Sequence, residues 1–142
     1  MNSGFSEDEY ILYRLEKAWR TMHDAEILAY EGSWNSAMNR VYYACFYAVL
    51  ALLSKQNIKT RTHAGVKTQF GLNFIMTGII DKKWGAFYSD IFALRQKGDY
   101  AEFIEFEEHE LSTLIPEARL VISIIDRSEE QTSELQSPNT IS

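Results

Sequence analysis

Residues 41–53 read VYYACFYAVLALL, thirteen positions without a charge or a turn-forming residue. A membrane-spanning helix takes about 20 apolar residues, so this run is too short to cross a bilayer, and it carries Tyr42, Tyr43 and Tyr47 besides. With its polar flanks it predicts a helix over about 35–54 that is apolar on every side. Simple amphipathicity does not account for such a helix. It belongs either at the centre of a bundle or between a core and a partner chain. We expect both, with a homodimer covering the face that one small bundle leaves over.

The neighbouring segments supply the rest of a bundle. Ser6 and Glu9 fit a reciprocal capping box, and Leu15, Ala18, Trp19, Met22, Ala25, Leu28 and Ala29 follow at helical spacing up to Gly32. That predicts a first helix over about 7–31. A third, over about 63–76, shows Val66, Phe70 and Phe74 and ends at Gly78. Asp81 can cap a fourth with Trp84, Phe87, Tyr88, Ile91 and Leu94 on its buried stripe, stopping near Gly98. The last helical region contains Pro116, where a kink or restart is expected. No strand-like alternation and no repeat appears. The expected fold is all-α, an antiparallel bundle of four or five helices over residues 1–126. Residues 127–142 form a polar tail, expected to be disordered or non-native: RSEEQTSELQS resembles a sequencing adapter read through as codons.

The start, MNSGFSEDEY, is polar and acidic, with no signal-peptide pattern. Cys45 is the one cysteine, which rules out an intrachain disulfide and fits a reducing cytoplasm, and its setting suggests a small buried side chain. The net charge of −6 is unevenly spread. No Asp or Glu lies between Gly32 and Ile80, and residues 40–97 hold nine Lys or Arg against Asp81 and Asp90. Such segregation either builds an anion-binding face or is neutralised when the acidic terminal helices fold over the middle. Enzyme signatures are few. There is no phosphate loop and no nucleophile elbow. His23, His63 and His109 stand apart with no zinc-ligand spacing. Glu107, Glu108 and Glu110 point to different sides of a helix and read as a solvated acidic face. No metal and no cofactor is expected.

NRVYYACFYAVLALL, then THAGVKTQFGLNFIMTG, then LRQKGDY, in that order and spacing, resemble the small single-domain prokaryotic branch of the HEPN family over roughly residues 10–125. The resemblance implies a four- or five-helix bundle that dimerises around a polar cleft. Many such proteins are ribonuclease toxins encoded beside a small nucleotidyltransferase that acts as antitoxin. They work without metal, using an Arg and, after four to six intervening residues, a His.

The matching Arg here is Arg95, and the His is missing: Asp99, Tyr100, Ala101 and Glu102 stand where it would fall. A tyrosine titrates near pH 10 and an ionised aspartate is a weak base, so Tyr100 and Asp99 replace a general base poorly. Arg95 can grip phosphate beside the Gly-Asp-Tyr sequence, or pair with Asp99 one turn on. Arg40, beside the apolar run, must find an anion of this chain or of a bound phosphate. Lys59, Arg61, His63 and Lys67 complete the candidate nucleotide- or RNA-binding set. His63 can alternatively cap helix three, and Tyr43 and Tyr47 read as packing residues. The expectation is a dimeric, cytoplasmic protein binding RNA or nucleotide phosphate, one member of a toxin–antitoxin or nucleotidyltransferase pair. The alternative is a non-catalytic adaptor docking a nucleotidyltransferase.

Overall fold

Ser6 opens the first helix as its spacing to Glu9 predicts: its hydroxyl accepts from Glu9 N at 3.2 Å, and the Glu9 carboxylate reaches back to Ser6 N. In the computed structural model, which describes residues 6–100 and 104–136 and side chains over 6–99 and 104–128, this helix is α1, Glu7–Tyr30. The chain then forms α2 (Trp34–Lys55), α3 (His63–Phe70), a π-helical turn (Gly71–Ile75), α4 (Lys82–Tyr100) and α5 (Glu108–Gln136). No strand occurs among the described residues. Gly32 and Gly78, at φ of 80° and 79°, adopt the left-handed backbone that ends a helix. Asp81 caps α4, its carboxylate accepting from Lys83 N at 2.9 Å.

α2 is the centre. It packs against α1 and α5 on one hand and α3 and α4 on the other. Ala37, Ala44, Ala48 and Ala51 are fully buried and let neighbouring helices approach closely, while Met38, Val41, Leu52 and Leu53 fill the gaps. Each large apolar side chain buried in this way stabilises the fold by about 1.5–3 kcal/mol. α1 turns inward the stripe Ile11, Leu15, Ala18, Met22 and Ala25. α5 answers with Leu111, Ala118, Val121, Ile122 and Ile125. Cys45 is fully buried, and burial pushes its thiol well above the ordinary range, so it stays a protonated packing group.

Two helix ends differ from expectation. Helix three does not run to residue 76 as one α-helix. The Asn73 side-chain amide takes the Gln69 carbonyl at 2.9 Å, the acceptor that an α-helix would give to the Asn73 N–H. The backbone widens instead, with Met76 N bonding Gly71 O at 2.9 Å. Helix four runs through Gly98 to Tyr100. Gly98 serves close packing rather than a turn, since a Cβ there would meet the Phe106 ring at 3.2 Å. α5 continues through Pro116 without a restart. Pro116 and Ser112 are both exposed, so the Ser112 carbonyl that loses its N–H partner meets water.

Candidate anion-binding site

On α2, the residues Tyr43, Phe46, Tyr47 and Leu50 recur at helical spacing and remain half-buried, with Arg40 one turn before them. This is the stripe that the surrounding helices leave incompletely covered. α3 starts beside it because the Thr62 hydroxyl accepts from Gly65 N at 2.9 Å. Thr62 is therefore the cap of α3, and His63 is free to turn toward α2. Its Nδ1 lies 2.8 Å from the Tyr42 hydroxyl, and its ring stacks on Phe46 with centroids 4.3 Å apart.

Burial lowers the His63 pKa below its ordinary value, the Arg95 charge lowers it further, and Asp99 opposes both. Tyr42 is fully buried, and its phenol is pushed up to about 12, chiefly by burial, so near neutral pH it remains a hydroxyl. Behind it the Tyr88 hydroxyl is close enough to affect that ionisation but makes no aligned hydrogen bond.

α4 brings Arg95 to the same place. Its guanidinium lies over the Tyr42 and Tyr43 rings, 5.4 and 5.5 Å from their centroids, and Nη2 donates to the Tyr43 hydroxyl at 3.2 Å. Nε sits 3.2 Å from Asp99 Oδ2, an ionic contact without hydrogen-bond alignment. The helix-end pair with Asp99 is thus formed, and the Arg95 side chain stays 20% exposed. Arg40 reaches the same tyrosine, its guanidinium 5.2 Å from the Tyr43 centroid. It donates to Asn39 Oδ1 at 2.8 and 3.2 Å and has no carboxylate partner among the described residues. Among the described residues, two guanidiniums therefore share one aromatic ring with a single paired carboxylate, Asp99, a locally positive spot.

The structure gathers Arg40, His63, Arg95 and Asp99, and sets Lys67 close by, its ammonium 4.7 Å from the Phe92 ring that borders Tyr42. Lys59 and Arg61 do not join them. They line a separate pocket against α1. The Tyr100 side chain lies outside the described ones. Tyr42 and Phe46, which hold His63, are residues that sequence reasoning passed over as site residues, although they lie one turn apart on α2, where both can meet the same ring.

Within the acid-free stretch, Lys55 pairs with Asp8 of α1 at 3.8 Å, while Arg40, Lys59, Arg61 and Lys67 form no ion pair among the described residues. Among the described residues, Lys55–Asp8 is the one ion pair that joins this stretch to an acidic terminal helix. Chemically, the cluster offers a forked donor for phosphate oxygens, a polarised tyrosine hydroxyl and a neutral imidazole. No group of three His, Cys, Asp or Glu suited to a metal occurs among the described residues. No helix among them is long and apolar enough to cross a membrane.

The family model for the HEPN domain matches residues 11–129. A "UPF0332 protein" of Thermotoga maritima is 36% identical over 85% of this chain and 92% of its own length. A Methanocaldococcus jannaschii protein named "Putative toxin" is 33% identical over 84% of this chain and 89% of its own. A second protein of that name and organism is 29% identical over 77% of this chain and 74% of its own.

Proposed function

Since the chain belongs to the HEPN family, we propose that it is a toxin-like protein that binds RNA or nucleotide phosphate at the Arg40–Tyr43–Arg95 cluster. The observation that carries this reading is the pair of guanidiniums on the Tyr43 ring with Asp99 the one carboxylate paired to them among the described residues. A phosphate entering there displaces Asp99 from Arg95 and takes two parallel hydrogen bonds from its fork, with the Tyr43 hydroxyl already oriented by Nη2. His63 contributes a ring N–H or lone pair at the edge. The protein acts as a cytoplasmic homodimer, its half-buried α2 stripe lying toward the second copy, and it is partnered by a small nucleotidyltransferase. The toxin names of its relatives support the first part of this.

The position taken by His in the family's motif is filled by Asp99 and Tyr100, so phosphate binding is the primary activity. Any ribonuclease chemistry at this cleft runs without a metal. The adaptor reading, in which the cleft is completed by a docked nucleotidyltransferase, draws on the same missing His. Fluorescence anisotropy with a labelled single-stranded RNA, in a chelator, tests the proposal. Wild type binds, and Arg95→Ala weakens binding by about tenfold or more, as expected for loss of a charge-assisted pair of about 1.5–3 kcal/mol. Equal binding by the two proteins leaves Arg95 as a helix-end ion pair and removes the proposal. Shortening of the RNA in the chelator adds cleavage to the function.

A further inference from the structure

The imidazole beside Arg95 is tied to a hydroxyl that has a second direction in which to point. His63 Nδ1 lies 2.8 Å from the hydroxyl of Tyr42, and Tyr42 is fully buried. With its phenol pushed up to about 12, chiefly by burial, Tyr42 keeps one proton to give and lone pairs with which to accept. A neutral His63 whose Nδ1 carries no proton takes the Tyr42 proton. An imidazolium carries a proton on each ring nitrogen, so its Nδ1 has to donate to Tyr42 instead. The Tyr42 proton must then turn elsewhere, and a buried donor left without an acceptor is costly.

Tyr88 of α4 supplies that acceptor. Its ring centroid lies 6.1 Å from that of Tyr42, and it too is fully buried. Among the described residues the Tyr88 hydroxyl has no aligned hydrogen bond, although it is near enough to Tyr42 for each phenol to affect the ionisation of the other. Buried polar groups are nearly always hydrogen-bonded, so an orphan of this kind calls for a reason. Rotation of the Tyr42 O–H away from Nδ1 and toward the Tyr88 oxygen leaves a Tyr42 lone pair facing Nδ1–H. The hydroxyl pair therefore serves His63 in both charge states.

The groups around the imidazole decide which state prevails. From α2 come the Tyr42 and Tyr43 hydroxyls, the second already taken by Arg95, with Arg40 over the far ring. From α4 come Arg95, which disfavours the imidazolium, and Asp99, which favours it; Lys67 lies on the helix of His63 itself. Burial and Arg95 outweigh Asp99 and keep the ring neutral near pH 7. A phosphate that displaces Asp99 brings its own negative charge to this spot and reverses the balance. We propose that His63 is a third, proton-dependent cation of the Arg95 cleft, which takes up a proton as a phosphate binds while Tyr42 turns its hydroxyl to Tyr88. Tyr88 is then a positioning residue that acts through Tyr42. The inference rests on the phosphate cleft proposed above. Because the bound state holds the proton more tightly than the free state, affinity rises as the pH falls and levels off once free His63 is itself protonated.

Anisotropy of a labelled 5′-hydroxyl oligouridylate, whose phosphodiesters and bases keep their charge between pH 7.5 and 5.5, tests this on the full chain. Each pKa unit that binding adds to His63 is worth about tenfold, and wild type is expected to bind at least about fivefold more tightly at pH 5.5. His63→Gln, which leaves His23 and His109 in place, loses most of that ratio. Tyr88→Phe removes only a buried hydroxyl without an aligned partner and also narrows the ratio. Calorimetry on wild type in two buffers of different ionisation enthalpy reads the proton directly, with uptake expected on binding near pH 6.5. Binding with no pH dependence, no proton uptake, or a full wild-type ratio in either variant overturns the inference and leaves the cleft standing. Failure of wild type to bind at either pH removes the cleft and the inference together.

Discussion

Arg95 spends its guanidinium on two tyrosine faces, one hydroxyl and one carboxylate, and each of those partners limits what can replace it. Lysine keeps the charge but loses the planar fork, so Arg95→Lys should recover less than half of the RNA-binding free energy that Arg95→Ala loses, measured by the same anisotropy titration. Full recovery would reduce Arg95 to a point charge. His63 makes a prediction of the opposite kind, about stability. Its folded-state pKa lies below the ordinary value because burial and Arg95 disfavour the imidazolium. The unfolded chain therefore binds more protons than the folded one in the window below about pH 6.5, and stability falls as the pH drops through that window. His63→Gln should flatten this part of the profile. Urea midpoints of both proteins at pH 7.5 and 5.0 measure it, and parallel losses would contradict the assignment. The Arg95–Asp99 pair was legible in the sequence, because a spacing of four on a helix sets it. The meeting of His63 with Arg95 was not. It depends on how α3 and α4 are placed around α2, which no local pattern encodes, and on Thr62 taking the capping role that His63 could have filled.

Helix existence followed from periodicity, and helix ends from the chemistry of single residues. Ser6, Asp81, Gly32 and Gly78 marked their boundaries correctly because a cap or a left-handed turn is a local property. The misjudged boundaries were decided at longer range. Gly98 looked like a stop and is a helical residue that admits the Phe106 ring, while Asn35 fixes that segment by accepting from Phe106 N at 2.8 Å. Gly85 is held by the same kind of constraint. A Cβ there would lie 3.0 Å from both Cγ1 and Cγ2 of Ile75, the near end of a stiff β-branched side chain. Overpacking of this kind costs about 1–3 kcal/mol and the helix propensity of alanine returns about 1 kcal/mol. Gly85→Ala should thus lower stability by about 1 kcal/mol, read from the denaturation midpoint; a gain in stability would show that the π-helical turn carrying Ile75 moves aside freely.

For the whole molecule, the apolar run of α2 is the feature from which the fold was most readable. Its placement between α1 and α5 on one hand and α3 and α4 on the other covers all but the Tyr43–Phe46–Tyr47–Leu50 stripe. We propose that a second copy meets that stripe, so light scattering at micromolar concentration should give twice the mass of the chain, and a stable monomer would count against it. We propose as well that residues beyond Asp126 add little to the bundle. Asp126 itself accepts from the Trp19 indole at 3.0 Å and ties α5 to α1, so truncation just after it should leave Tm within a degree or two. A large drop would place the tail within the packed structure. Among the described residues the basic stretch of the middle is largely without ion pairs, although the protein as a whole is acidic. The most direct test of phosphate binding at the Arg95 cluster is the salt dependence of RNA affinity in wild type and Arg95→Ala. Each phosphate contact on a single strand contributes a slope of about −0.7 in log K against log salt. The account predicts weaker binding by Arg95→Ala and a slope shallower by about that amount, whereas an unchanged slope and affinity would contradict it.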